Sequence, residues 1–170
     1  DLVARDLDAI ARIWPRPFVE FADDNTFVDP EWSLGLVRTL AGRHVKWFTE
    51  TDLTVSRRPE LLDALAGSGC RQLLIGFEAL DAASVASLED RPFKAGLVEG
   101  YARAVEAIQS RGVSVNGCFI LGADDHTPAT FGRVADFADR VGLAEVQVTV
   151  LTPFPCTPLY ARLEAERRLL

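Results

Sequence analysis

A chain of 170 residues, 48% hydrophobic and 25% charged, has the composition of a globular domain able to bury a core without disulfides. Its net charge of -7, with lysine only at Lys46 and Lys94, argues against a broad nucleic-acid or anionic-membrane surface. The sequence holds no apolar run of membrane-span length and no signal peptide, and Cys70, Cys118 and Cys156 are spaced as reduced thiols, so it reads as cytoplasmic. It has no methionine and opens inside a helix, so residues 1–170 are expected to be a single domain excised from something longer.

Apolar spacing predicts a first helix over Leu2–Trp14 and a strand over Phe18–Phe21. Asp29-Pro30 opens the next helix and Gly42 closes it. Strands follow at Val45–Thr49 and Gln72–Phe77, with a helix over Pro59–Ala66 between them, closed by Gly67 and Gly69. Asp81–Leu88 reads as a short helix and Ala95–Ser110 as a longer one with a single apolar stripe. A strand at Val113–Leu121, a helix from Thr127-Pro128 to Gly142, a strand at Val146–Leu151 and an amphipathic segment over Pro158–Leu170 complete the chain. Five strands alternating with helices imply right-handed crossovers and a parallel sheet. A doubly wound sheet and a barrel both fit this order; no G-x-G-x-x-G or P-loop string marks the former, and acids at successive strand ends favour a parallel (βα) partial TIM-type barrel.

Such barrels build their sites from the loops after each strand, and here those ends carry acids and hydroxyls: Asp23 and Asp24, Glu50 and Thr51, Glu78, then Thr152-Pro153. Asp23 and Asp24 suit a cation or ammonium group, or a solvated turn. Alternation sends Glu50 and Asp52 to one side and Thr51 to the other; Glu50 or Thr51 is the ligand candidate, and Asp52 is expected to cap or turn the chain. Glu78 ends the apolar run Leu73-Leu74-Ile75-Gly76-Phe77, so its carboxylate must be hydrogen-bonded or paired, with ligand or with an arginine such as Arg91. Gly117 and Gly122, in and after a strand, suit either a flat ligand or a bulge. Asp124, Asp125 and Thr127 are expected to turn and cap, and His126 to be a lone surface histidine. Serine-hydrolase, zinc-protease and C-x-x-C signatures are absent, and a Schiff-base lysine would have to be Lys46 or Lys94.

The strings Phe21-Ala22-Asp23-Asp24-Asn25, Gly76-Phe77-Glu78, Gly117-Cys118-Phe119-Ile120-Leu121-Gly122 and Thr152-Pro153-Phe154-Pro155, in this order, resemble a radical S-adenosylmethionine (radical SAM) core domain, of the branch often fused to a cobalamin-binding domain. The resemblance runs from about Phe18 to Tyr160. It implies a six-strand open barrel, about five strands of which are present, that holds S-adenosylmethionine (SAM) against a 4Fe-4S cluster and generates a 5'-deoxyadenosyl radical. By the same resemblance Asp23 and Asp24 lie beside the methionine amino group. Glu50, Thr51 and Glu78 lie near the ribose and amino acid part, Gly117, Ile120 and Gly122 pack on the adenine, and Thr152 and Pro153 give backbone contacts.

The family's cluster motif, C-x-x-x-C-x-x-C, falls ahead of Asp1, so the cluster ligands are expected outside this segment, which alone should be inactive. Ala79 stands where the family often has serine, and Cys156 where a glycine usually follows the prolines. The implied partners are a small-molecule substrate, an electron donor for the cluster and the N-terminal remainder of the same protein, with no membrane or nucleic acid. Two other readings stay open: a non-catalytic α/β binding or scaffold domain, and a barrel lyase or hydrolase with a divalent cation at Asp23, Asp24, Glu50 and Glu78.

Overall fold

In the computed structural model, which describes residues 2–88 and 94–169, every strand pairs in parallel with the next one in the chain. The order is β1 (Phe18–Phe21), β2 (Lys46–Thr51), β3 (Cys70–Glu78), β4 (Ser114–Leu121) and β5 (Glu145–Val150). Helices α1 (Leu2–Ile13), α2 (Pro30–Leu40), α3 (Pro59–Gly67), α4 (Ala82–Leu88), α5 (Tyr101–Gln109), α6 (Pro128–Val141) and α7 (Pro158–Ala165) precede, link and follow them. This is the expected parallel partial barrel, with five strands in an open, curled sheet.

Strand alternation divides the sheet into two faces. Trp47, Thr49, Leu73, Ile75, Phe77, Val115 and Phe119 point to the helices and are buried, whereas Glu50, Leu74, Gly76, Glu78, Asn116 and Cys118 occupy the other, half-exposed concave face. Behind the sheet, Phe77 stacks on Phe119 at 5.3 Å between ring centroids and meets Tyr101 and Phe137 edge-on. The same layer explains Gly117. A Cβ there would lie 2.7 Å from Leu143 Cδ1, 3.1 Å from Phe77 and 3.2 Å from Phe119, so a side chain at this position requires the Leu143 tip and both rings to shift. The outer face of β5 is different: Val146, Val148 and Val150 remain exposed.

A buried hydroxyl pair ties β1 to β2. Thr49 Oγ1 donates to the Phe21 carbonyl at 2.9 Å and lies against Thr26 Oγ1. Thr26 N–H in turn donates to the Glu50 carbonyl, which draws the loop after β1 over the end of β2. Thr49→Val keeps the shape but leaves buried acceptors unmatched, and should cost about 1–3 kcal/mol in urea denaturation.

Most expected boundaries hold, with three corrections. Ala95–Ser110 is not one helix: a 3-10 segment, Lys94–Gly100, precedes α5, because Gly96 and Gly100 weaken the α-helical turn. A second 3-10 turn, Leu53–Arg57, fills a stretch without a predicted element. The last helix stops at Ala165 rather than running to Leu170. Caps match their signals: Asp29 accepts from Trp32 N–H at 2.6 Å, Asp81 from Ser84 N–H at 2.8 Å, and Gly142 ends α6 at φ 63°. The Arg91 alternative for Glu78 lies outside the described residues.

Candidate active site

At the C-terminal ends of β1–β3 the loop Asp24–Asn25, the strand end Glu50–Asp52 and the turn at Glu78 enclose a cleft of about 450 Å³, floored by Leu74, Gly76 and Cys118 and bounded on the far side by Gln147. That size lies within the range of small-molecule sites. Four expected residues, Asp24, Glu50, Thr51 and Glu78, line it together although they come from three separate segments. Asp23 is exposed one residue from the wall, and Ile120 lies on the concave face beyond the cleft. Gly122, at φ 101°, ends β4, while Thr152 is exposed with its hydroxyl donating to the Val150 carbonyl. Gly117 is turned to the helix layer, where a Cβ would crowd Leu143, Phe77 and Phe119.

The wall is braced by residues that carry little sequence signal. Asn25 accepts from Thr51 Oγ1 at 3.0 Å and donates to Asp52 Oδ2 at 2.7 Å. Asp52 also caps the 3-10 turn through Thr54 N–H at 2.7 Å, so it is both the expected cap and part of the cleft. Thr51 is thereby engaged with the loop, which leaves Glu50 as the strand carboxylate on the concave face.

Glu78 occupies an unusual backbone site. A bulge in β3 sets Gly76 opposite Cys118 and Glu78 opposite Phe119, with Phe77 as the extra residue. Glu78 then adopts φ 63°, and Ala79 N–H closes back on the Phe77 carbonyl at 2.8 Å, a γ-turn. Tyr101 OH, buried on α5, donates to that same carbonyl at 2.9 Å. Non-glycine residues avoid this region, and such strain persists only where neighbours enforce it. Here the bulge and Tyr101 enforce it.

The loops after β4 and β5 depart from expectation. Asp124 sits with Asp125 in the expected turn, closed by His126 N–H on the Ala123 carbonyl at 3.0 Å, and is also an ion-pair centre: Arg168 and Arg162, the latter at 2.7 Å, reach it from the C-terminal segment and hold its carboxyl well below the usual range. Asp125 meets Ser84 Oγ. His126 is half-buried, and its Nδ1 accepts from Gly122 N–H at 3.2 Å. Cys156 takes φ 68°, the conformation that favours glycine and is served there by cysteine at some strain. Burial pushes the Cys70 thiol up to about 12, and it lies far from any role as a ligand or nucleophile at neutral pH. Among the described residues no three His, Cys, Asp or Glu side chains form a metal-ligand set, which leaves the divalent-cation reading without ligands there.

Comparison with known proteins follows this geometry. No protein-family model matches the chain. Among solved structures, the cobalamin- and 4Fe-4S-bound radical S-adenosylmethionine methyltransferase TsrM from Kitasatospora setae superposes with a TM-score of 0.80 over 96% of this chain and 33% of its own, at 18% identity. The chain carries the radical SAM core fold. Two methylating enzymes match it in sequence. Bacteriochlorophyllide d C-12(1)-methyltransferase of Chlorobaculum tepidum is 26% identical over 85% of the chain, and hopanoid C-2 methylase of Rhodopseudomonas palustris is 27% identical over 99%. The chain spans about a third of each relative, 31% and 32% of their lengths. Among the described residues no helix is long and apolar enough to cross a membrane.

Proposed function

We propose that this chain is the SAM-binding portion of a radical SAM enzyme, of the cobalamin-linked methylating kind. The observation that carries the reading is the convergence of Asp24, Glu50, Thr51 and Glu78 on one cleft with the open backbone of Gly76 at its floor. Carboxylates at this rim suit an ammonium and a sulfonium by simple charge attraction, strengthened as the cleft excludes water. Asp24, with Asp23 beside it, would hold the amino group; Glu50 and Glu78 would take the remaining amino acid and ribose donors. Gly122 and Ile120 would flank the adenine, with Thr152-Pro153 at its edge. Bound beside a reduced 4Fe-4S cluster, SAM supplies one-electron chemistry, and in the cobalamin-linked branch methyl transfer.

The cluster's cysteines belong, in this reading, to sequence ahead of Asp1, since Cys70, Cys118 and Cys156 lack the C-x-x-x-C-x-x-C spacing and, among the described residues, join no set of three ligating side chains. The three thiols suit a reducing cytoplasm. Anaerobic reconstitution of the complete protein should yield four irons per chain, and equilibrium dialysis should show SAM binding that Asp24→Asn weakens several-fold. Absence of both iron and SAM binding would leave the chain a non-catalytic α/β scaffold.

A further inference from the structure

The concave wall has a second acidic end that the cofactor reading leaves unused. Gln72 Nε2 and Asn116 Nδ2, from β3 and β4, both donate to Glu145 Oε2 on β5, at 3.2 and 3.1 Å. Two amide donors on one oxygen fix the orientation of the carboxylate. Among the described residues Glu145 Oε1 accepts no hydrogen bond, and Asn116 Oδ1 is buried without a partner. The buried Asn116 Oδ1 is the unmatched acceptor of this clasp, whereas the Glu145 carboxylate is exposed and its second oxygen is open to a ligand.

Its position separates it from the cofactor rim. Glu50, Leu74, Asn116 and Glu145 stand in one register row across β2–β5. Glu50 and Glu145 are therefore three strand spacings apart, roughly 14 Å along the sheet, too far for one ammonium to serve both. Gln147, which bounds the cleft, lies two residues beyond Glu145 on the same face of β5. Among the described strand residues of this face, Glu20, Glu50 and Glu145 are acidic and Lys46, at the opening residue of β2, is basic.

We propose that Glu145, pinned by Gln72 and Asn116, is a specificity-determining carboxylate that receives a protonated nitrogen of the substrate on the β4–β5 side of the cleft. The proposal rests on the radical SAM reading, because it takes the β1–β3 side to be filled by the cofactor. The pinned carboxylate binds without first losing rotamer freedom, and Leu74 beside it offers apolar contact to the carbon frame of an amine.

The test uses the complete protein with saturating SAM, titrated calorimetrically with phenethylamine and with its neutral counterpart phenethyl alcohol. The amine should bind about tenfold more tightly than the alcohol, and Glu145→Gln should remove that preference while SAM affinity and the circular dichroism spectrum stay unchanged. Equal binding of amine and alcohol, no response to Glu145→Gln, or a loss of SAM affinity in that variant would each overturn the proposal. Should SAM itself fail to bind the parent protein, the radical SAM reading falls. The amine titration without SAM then still decides whether Glu145 selects a cation.

Discussion

Glu78→Gly should give a protein more stable than Glu78→Ala by about 1 kcal/mol, although glycine normally weakens a strand. At φ 63° the backbone of residue 78 lies where a Cβ is unwelcome. Both truncations remove the same carboxylate, so their difference in urea denaturation isolates the backbone. If alanine matches or exceeds glycine, the strain is absent. The same two variants, with Glu78→Gln as the shape-preserving control, should each weaken SAM binding of the complete protein by about tenfold or more, the loss of a charge-assisted hydrogen bond. A stability gain paired with a binding loss would mark Glu78 as a residue kept for function at the expense of the fold. Unchanged SAM affinity in all three would remove Glu78 from the cofactor site and leave it a structural carboxylate.

The largest stability loss from removing no contact at all is expected at Gly69. Its φ is 92°, its carbonyl accepts Trp47 N–H, and a Cβ added there would collide with the Val45 carbonyl oxygen while reaching 3.3 Å from the carbonyl carbon. Both obstacles are backbone and cannot swing aside. Gly69→Ala should therefore combine the cost of a left-handed residue with that of overpacking, about 3 kcal/mol or more. Gly42→Ala supplies the comparison, since φ is 77° there but nothing lies within 4 Å, and it should cost only about 1 kcal/mol. Denaturation monitored by tryptophan fluorescence measures both, because Trp47 sits against the site. Equal losses in the two variants would show that the Val45 contact relaxes freely.

The strands were legible as short apolar runs, and the structure shows that helices cover only their alternate residues, Leu73, Ile75 and Phe77 or Val115, Phe119 and Leu121. Caps were legible too, since Asp29 and Thr127 act within three residues of themselves. What stayed hidden depends on pairing across the chain. The bulge that turns Glu78 requires the β3–β4 register, and no local string announces a glutamate at positive φ. Gln72, Asn116 and Glu145 meet only once three strands are aligned. Asp124 showed its turn but not its ion pairs, because its arginine partners lie 38 and 44 positions away. Gly117 was visible as a glycine in a strand, but whether ligand or neighbour required it turned on which face it presented.

Strand order has a consequence for how the chain reaches this state. Because each strand lies beside its sequence neighbour, no pairing must wait for a distant segment, and contact order stays moderate for a parallel sheet. The loop closures are unequal. The shortest crossover, from Thr51 to Cys70, joins β2 to β3 and ends beside Gly69, whose carbonyl accepts from Trp47 N–H of β2, whereas Glu78 to Ser114 is the longest and joins β3 to β4. Loop entropy thus makes the first pairing the least costly to form and the second the most costly, and the concave cleft, which needs both, is assembled late.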